Sequence, residues 1–495
     1  MDPDLVAIVK SNKAPNDIQA RQIRVLLPSY VAEISDLDSE IAATTALLRD
    51  MEERRNVRSK FLAGLQSALA PIRTVPNEIF AEIFLLCRDG ALDPHDYSLF
   101  DSKQPPLLLA HVSSQWRAVC FSDARLWDHI HIHSVERMPP MATLRAIFTR
   151  SRLRPLDIHI TESPLGDLFR VILAAHTRVR RICLRVNSSD DVSDLWSYPR
   201  DFPSLTTFEL HIQQQEATSL ERPVGLGLFK TAPLLRSFLI WSYPSPFDPR
   251  PGAVVWSQLT ELTLDIGMDE LTALSIIVAC TRLQDCRIFL HSSSQFTPLL
   301  MPPSHATTLP QLWCLRVFGR APRVGLPFFE GLTLPALTEL LLCIDELSPE
   351  ALPNLYNRSS FRLKNLQIWD FIPHDLTGLL QLTPSLEELS LQFVTLNDEV
   401  FEMFTYRPAS PTPVVLPKLR SLVLWDAGDE LTTDGVSAAE MGESFTRYSL
   451  EGNLAFPSLR KVELILGGHL FDDDVEDRLV AASGGIFAYE RFTKS

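Results

Sequence analysis

Three histidines alternate with two isoleucines in one short segment, as His129, His131 and His133 beside Ile130 and Ile132. Alternate side chains of a β-strand point to the same side, so the three imidazoles would share one face. Imidazole groups gathered in this way are typical ligands of Zn²⁺. The same alternation is also typical of a strand with one solvated face and one buried face. We favour the solvated face, and we predict no metal site and no cofactor.

Catalytic groups are the second kind of chemistry that a sequence can reveal. The chain contains no GxGxxG or GxxxxGKS/T phosphate loop, no GxSxG nucleophile turn and no HExxH metal-binding helix. The acidic run Asp472-Asp473-Asp474 has the composition of a solvated, flexible tail. We therefore predict that the chain is not an enzyme.

Cysteine usage and hydropathy bear on the cellular compartment. The cysteines are seven in number and form no CxxC pair, so neither a disulfide framework nor a zinc knuckle is indicated. Free thiols suit a reducing environment. No basic start followed by an apolar stretch opens the sequence, and apolar runs such as Leu274–Cys280 are too short to cross a bilayer. We expect a cytoplasmic or nuclear protein without a membrane partner.

Length and charge limit the class of protein further. The chain has 495 residues and a formal net charge of −15. An acidic chain repels phosphate backbones unless its basic residues are concentrated on one face, and only short basic clusters such as Arg178–Arg181 are present. No nucleic-acid partner is predicted. The length exceeds that of one compact core and indicates several domains or a repeat array.

The first element that the sequence predicts is a helical segment from about Ser29 to Leu69. It lies within an N-terminal domain of residues 1–70. Apolar residues recur in it at three-four spacing, which predicts a long amphipathic helix with weak heptad character. Arg55 and Arg58 interrupt the pattern. Two interpretations stay open: self-association with a second copy through residues 29–69, or packing onto the rest of the chain. The periodic residues are Ile34, Leu37, Ile41, Thr44, Leu48, Met51, Leu62, Leu65 and Leu69.

A second segment, residues 71–130, has the pattern of a small helical domain. Pro76 and Glu78 suit the first turn of a helix, where the missing N–H of proline is not needed and a carboxylate meets the positive helix end. Apolar residues follow at helical spacing as far as Leu86. The polar stretch Arg88–Gln104 contains Gly and Pro and is predicted to be a loop. An apolar run and a tryptophan segment come after it.

Residues 131–466 are repetitive, with an apolar residue, two others, an apolar residue, one other and an apolar residue in each unit. The first position recurs mostly every 23 to 30 residues, a period and signature typical of leucine-rich repeats. Each unit would supply one short strand of a solenoid. Most units lack the asparagine that usually supports the turn, which predicts an irregular horseshoe, and residues 467–495 would be a cap or tail. The clearest units begin at Leu205, Leu235, Leu259, Leu283, Leu312, Leu337, Leu363, Leu386, Leu419 and Leu459.

Bulky aromatic residues occupy one repeated position, six residues after the first apolar residue of a unit. Strand alternation would place them outward, where exposed apolar side chains usually mark a partner surface. Acidic residues project to the same side and would favour a basic partner. The alternatives are aromatics covered by loops or by the C-terminal segment, and acids that are only solvated. The candidate substrate face consists of Trp241, Phe289, Phe318, Trp369 and Trp425, and the acids are Glu209, Glu261, Asp265, Glu339, Glu388 and Glu463.

The segment 72–127 resembles an F-box. The residues that carry the resemblance are Val75-Pro76, Glu78-Ile79, Ile83-Phe84, the run Leu107 to Val112, Ser114, Trp116-Arg117 and Leu126-Trp127. With the preceding helix and the following repeats, the organisation of nearly the whole chain is similar to that of a fungal, basidiomycete-type family of F-box proteins with leucine-rich repeats. The specific motif covers only the 72–127 segment.

Together, the periodicity and the resemblance predict an α/β solenoid, a leucine-rich repeat horseshoe preceded by a small helical F-box and a long N-terminal amphipathic helix. The resemblance implies a substrate-recognition subunit of a cullin–RING ubiquitin ligase, in which the F-box binds the Skp-type adaptor and the repeats bind an unknown protein substrate. The alternative is a scaffold or regulatory binding protein without a ligase. Carried over residue by residue, adaptor contacts would fall on Pro76, Ile79, Ile83, Phe84, Leu107, Leu108, Val112 and Trp116.

Overall fold

A computed structural model gives the structure of two compact units, Met1–Phe80 and Ala81–Ser495. The described residues are 3–11, 14–91, 97–133, 141–161, 172, 174–187, 201–213, 224–225, 231–242, 247–248, 254–291, 305–320, 326–344, 347–371, 373, 375–394, 396, 398–405, 416–426, 437–443, 458–467, 473–483 and 486–492.

The first unit consists mainly of two helices, α1 (Pro3–Val9) and α2 (Asp17–Ala68). Asn16 starts α2 with a capping box: its side chain accepts a hydrogen bond from the Gln19 backbone, and the Gln19 side chain accepts one from the Asn16 backbone. The helix begins before the expected start near Ser29, and no residue along it is buried. The predicted amphipathic helix is therefore met only in part, because no apolar stripe of α2 is covered.

Short helices precede the sheet along the chain. Helix α3 (Asn77–Ala91) contains the boundary between the units, and α4 (Leu107–Val112), α5 (Ser114–Ser122) and a 3-10 turn (Ala124–Trp127) lie in the second unit. Ser113 separates α4 from α5 and starts α5, since its side chain accepts a hydrogen bond from the Trp116 backbone.

A 14-stranded sheet forms the second unit, and each strand pairs in parallel with its neighbours in chain order. The connections are long enough for parallel pairing throughout. The strands are β1 (His129–His133), β2 (Leu156–Thr161), β3 (Val179–Val186), β4 (Thr207–Ile212), β5 (Ser237–Ser242), β6 (Glu261–Met268), β7 (Asp285–His291), β8 (Cys314–Arg320), β9 (Glu339–Cys343), β10 (Asn365–Trp369), β11 (Glu388–Val394), β12 (Ser421–Asp426), β13 (Lys461–Gly467) and β14 (Phe487–Phe492).

The register aligns apolar residues of successive strands into buried rows. Ile130 pairs with Ile158, and Ile158 pairs with Ile182, all three fully buried. Further along, Leu366 pairs with Leu389 and is as deeply buried. Each such side chain contributes about 1.5–3 kcal/mol by leaving water. The alternate residues of every strand form the opposite side, which we call the outward face.

Helices follow many of the strands. Asp269 caps α7 by accepting a hydrogen bond from the Thr272 backbone, and Leu274 of α7 fills the space where a Cβ on Gly331 would lie. Successive helices α7, α8, α9 and α10 contact one another. The helices are α6 (Met141–Arg150), α7 (Glu270–Ala279), α8 (Leu326–Glu330), α9 (Ala351–Ser359), α10 (Leu376–Leu382), α11 (Asp398–Phe404) and α12 (Asp473–Ala482).

The predicted leucine-rich repeat horseshoe behind a separate helical F-box is wrong. The structure is an α/β architecture built on one large parallel sheet of 14 strands. The repeated apolar positions lie on strands, but true α-helices occupy many of the intervening segments. The sheet also continues past residue 466, because β14 adds a final strand. Of the acidic run expected in a flexible tail, Asp473 and Asp474 instead begin α12, where they meet the positive helix end, and Asp472 lies outside the described residues.

Candidate functional site

Exposed aliphatic side chains lie on α3 and α4 in the second unit and are the first candidates for contact with a partner. Ile83 and Leu86 of α3 are 43% and 73% exposed, and Leu108 and Val112 of α4 are 46% and 58% exposed. Leu108 and Val112 are one helical turn apart and so share one side of α4. Large aliphatic groups in water on short helices are suited to a protein partner. We call these four residues the aliphatic surface.

Phe84 and Trp116 join α3 to α5. Phe84 is fully buried, and its ring centroid lies 4.9 Å from that of the half-buried Trp116. Because Phe84 has no exposed surface, its expected adaptor contact is corrected: the ring supports the helices from within. The i, i+4 spacing predicted that Phe84 lies on the apolar face of a helix. The apolar residues of α3 are spread widely around it, so the spacing does not tell which of them face inward.

The other expected adaptor residues lie in different environments. Leu107 is half-buried at the start of α4. Pro76 and Ile79 belong to the first unit, and both are exposed. Their contact with an adaptor stays a prediction.

A buried ion pair fixes the far end of α3. Arg88 donates a hydrogen bond of 2.9 Å from Nη1 to Oδ1 of Asp128, and both side chains are only 7% exposed. Arg88 also donates to the backbone carbonyl of Arg125. Asp128 accepts further hydrogen bonds from His129 and, at 2.7 Å, from Nε of Arg154. The network ties α3 to the residue that precedes the first strand of the sheet.

Sequence reasoning missed this network because Arg88 was assigned to a polar loop. Helix α3 instead continues to Ala91, and Tyr97 beyond it is fully buried with its hydroxyl donating to the Pro105 carbonyl at 3.0 Å. The stretch 88–104 is thus packed at both of its described ends. A basic residue in the last turn of a helix is common, since it meets the negative helix end. Nothing in the sequence, however, predicts that Arg88 pairs with Asp128.

The three alternating histidines do not share a solvated face. His131 is buried, and its ring lies 5.1 Å from the ring of Tyr97 and 5.0 Å from that of His159. The expectation of a solvated polar face is therefore wrong for His131, because Tyr97 from the preceding segment covers it. Nδ1 of His129 bonds to Asp128 instead. Within the described residues no group of His, Cys, Asp and Glu is arranged to hold a metal ion.

The candidate substrate face lies on the outward face, where the register can be followed from strand to strand. Phe289 of β7 pairs with Phe318 of β8. Cys343 then separates Phe318 from Trp369, and the two rings reach over it to 6.2 Å. Gln392 separates Trp369 from Trp425. The structure thus brings four of the five predicted aromatics into one row, which we call the aromatic row.

Trp241, the fifth aromatic, lies on β5 beyond a shift in register between β6 and β7. It is 39% exposed, whereas the members of the aromatic row are half-buried. Trp241 pairs with His211 on one side and Asp265 on the other. Trp241 therefore lies outside the aromatic row, in a more polar part of the outward face.

Charged residues surround the aromatic row, and several are paired. The Arg287 guanidinium lies 4.5 Å from the Phe318 ring centroid and bonds to Asp265 at 3.2 Å. Burial raises the pKa of Asp265, although the charge of Arg287 opposes that rise. Arg316 bonds to Asp285 at 2.8 Å. Arg287 thus pairs with Asp265, one of the acids that were expected to attract a basic partner, whereas Arg316 pairs with an acid outside that set.

Comparison with known proteins finds no family model that matches the chain and no match among curated proteins. Within the part of the chain that the structure describes, no helix combines the length and the apolar character needed to cross a bilayer.

Proposed function

We propose that this chain is a binding protein rather than a catalyst, and that it serves as the substrate-recognition subunit of a Skp-cullin-F-box type ubiquitin ligase in the cytoplasm or nucleus. In this proposal the aliphatic surface on α3 and α4 binds the Skp-type adaptor. The outward face of the sheet, with its aromatic row, binds the protein substrate. The choice of a Skp-type adaptor as the partner rests on the resemblance of the 72–127 segment to an F-box.

The observation that carries the proposal is the contrast between the two sides of α3. Phe84 and Arg88 of this helix are buried and fixed, while Ile83 and Leu86 of the same helix are exposed to water. A folded protein loses about 1.5–3 kcal/mol for each such aliphatic group left exposed rather than buried. Exposure on rigidly held helices supports a role in binding, since pre-organised anchors lose little entropy when a partner docks.

Co-expression of the full chain with a Skp-type adaptor tests the proposal. We expect the two proteins to elute together from a sizing column as a complex of one copy each. The folded state of the chain is checked separately by circular dichroism. A folded chain that elutes apart from the adaptor at micromolar concentration would contradict the ligase role.

A second candidate function, a scaffold without a ligase, is favoured by the exposure of α2. Ile34, Leu37 and Ile41 are each more than half exposed along this helix. We expect self-association through residues 29–69 in this case, seen as twice the monomer mass in light scattering. The double variant L37K/I41K should return the mass to that of one chain, and L153K is the control, since Leu153 is an exposed leucine outside α2. A monomeric wild-type chain would contradict self-association.

The aromatic row gives a prediction about substrate. We expect the double variant F318A/W369A to capture less of the cellular proteins that co-purify with the wild-type chain under proteasome inhibition, by about tenfold, because aromatic anchors dominate binding energy. Adaptor binding should remain. The control is W313A, because Trp313 is a 39% exposed aromatic residue that precedes β8 and lies outside the aromatic row. Equal loss of captured proteins in W313A would count against the aromatic row.

A further inference from the structure

A row of polar side chains crosses the outward face near its N-terminal end. The register pairs Thr161 of β2 with Arg185 of β3, Arg185 with His211 of β4, and His211 with Trp241 of β5. Neighbouring strands of a sheet lie about 4.8 Å apart, so each side chain lies within reach of the next. None of the four residues takes part in the proposed aliphatic surface or in the aromatic row.

Two donors in this row are desolvated without a hydrogen bond. Nε of Arg185 and the hydroxyl of Thr161 are buried from water, and neither has a partner within the described structure. Leaving a buried donor unsatisfied is costly, and more so when it is charged. Buried polar groups in native proteins nearly always have partners, so such a pair points to a ligand.

Two other arginines of the sheet show what is missing at Arg185. Arg180 bonds to Asp157 at 2.6 Å and Arg316 bonds to Asp285 at 2.8 Å. Arg185 forms no such ion pair among the described residues. A guanidinium held on a strand without a carboxylate is the usual recognition group for phosphate, because its donors match the oxygens in geometry and charge.

Two carboxylates close to this row are already engaged, and the first of them, Asp265 opposite Trp241, bonds to Arg287 at 3.2 Å. Glu209 of β4 hydrogen-bonds to the thiol of Cys183, and burial together with the Glu209 charge raises the pKa of Cys183 to about 12, so the thiol remains protonated and keeps donating. Burial and then the charge of Arg185 lower the pKa of His211, against the opposing effect of Glu209. The positive charge of Arg185 thus lowers the pKa of His211 even though the negative charge of Glu209 opposes it.

We propose that Thr161, Arg185 and His211 form a binding site for the phosphate group of a phosphate monoester. Arg185 supplies the positive charge and the Nε donor, Thr161 supplies its hydroxyl, and the His211 imidazole supplies an N–H. Trp241, whose ring centroid lies 6.5 Å from that of His211, forms an apolar wall for the group that carries the phosphate. The site is separate from the adaptor surface, and it stands whether or not the chain serves a ligase.

Calorimetric titration of the full chain tests this site with three probes: inorganic phosphate, a phosphoserine peptide and the same peptide without phosphate. We expect the first two to bind and the third to give no heat at equal ionic strength. Tighter binding of the peptide than of inorganic phosphate assigns the site to a phosphorylated protein, and the reverse assigns it to free phosphate. Either result supports the site, while the absence of binding by both phosphates overturns it.

Variants distinguish this site from general charge attraction. We expect R185Q and T161V each to weaken phosphate binding by about tenfold or more, as loss of a charge-assisted or buried hydrogen bond predicts. R362Q removes the same charge from an exposed position before β10 and should change the affinity by less than about twofold. Unchanged affinity in R185Q, or an equal loss in R362Q, would contradict the proposal.

Thermal unfolding without phosphate separates a binding role from a structural role for Arg185. Because R185Q removes an unpaired charge from a desolvated position, we expect its Tm to equal or exceed that of the wild-type chain. Added phosphate should then raise the Tm of the wild type and leave that of R185Q unchanged. A fall in Tm for R185Q without phosphate would show that Arg185 holds the fold, and would overturn the proposal.

Discussion

The variant D128A is expected to lower the free energy of unfolding of the second unit by about 3–5 kcal/mol, the range measured when one member of a buried ion pair is removed. Asp128 accepts hydrogen bonds from Arg88, His129 and Arg154. Its loss leaves the guanidinium of Arg88, only 7% exposed, buried beside a void. Chemical denaturation followed by tryptophan fluorescence measures the change.

A surface pair supplies the control for that variant. Asp50 bonds to Arg54 at 2.7 Å on α2, with both side chains largely in water. D50A should therefore change stability by less than about 1 kcal/mol. Equal effects of D128A and D50A would contradict the assignment of Asp128 as the anchor of α3.

Acidification should weaken the same anchor. Burial alone raises the pKa of Asp128, but the hydrogen bonds from His129 and Arg154 and the charge of Arg88 outweigh it, so the pKa lies below its ordinary value. The contribution of Asp128 is therefore complete above the unfolded pKa of about 3.9 and is lost as the pH falls toward the folded value. The difference in stability between wild type and D128N should narrow as the pH falls below about 4.

The second large effect is expected on adaptor binding. The double variant L108D/V112D places two charges on the exposed side of α4 and should weaken binding of a Skp-type adaptor by about 100-fold or more. Each anchor of a protein interface typically supplies about 2 kcal/mol, and every 1.4 kcal/mol is tenfold in affinity. Surface plasmon resonance with the immobilised adaptor measures the loss.

Folding should survive that change because both side chains already lie in water. L153D is the matched control, since Leu153 is 93% exposed and lies outside the aliphatic surface. We expect L153D to bind the adaptor as the wild type does. Undiminished binding by L108D/V112D would place the adaptor contact elsewhere on the chain.

The strand positions could be read from the sequence, whereas the architecture could not. Leu262 and Leu264 recur in the repeated pattern and lie buried on β6. Period-two burial defines a strand and its inner side. It does not define what fills the space between strands, and here helices such as Glu270–Ala279 do so. The horseshoe interpretation was wrong because the spacing of leucines carries no information about those connections.

The candidate sites were foreseen unevenly for a similar reason. The aromatic positions follow directly from strand alternation, which is local. The pairing of Arg88 with Asp128 joins residues 40 positions apart, and Gly90 and Pro94 made the intervening stretch look like a loop. The desolvation of Arg185 depends on what its neighbours in the sheet already bind. Contacts of this kind arise from tertiary structure, which a single sequence does not encode in any short pattern.

The strict chain order of the 14 strands has a consequence for how the protein can vary. Each strand finds its place by pairing with the strand before it, so the distance along the chain between two strands can change without disturbing the register. The interval from Trp369 to Glu388 is short, that from Asp426 to Lys461 is long, and both lead to strands of the same ladder. Insertions between strands would thus alter the surroundings of the outward face while the face itself persists, which gives related chains a simple route to new binding specificities.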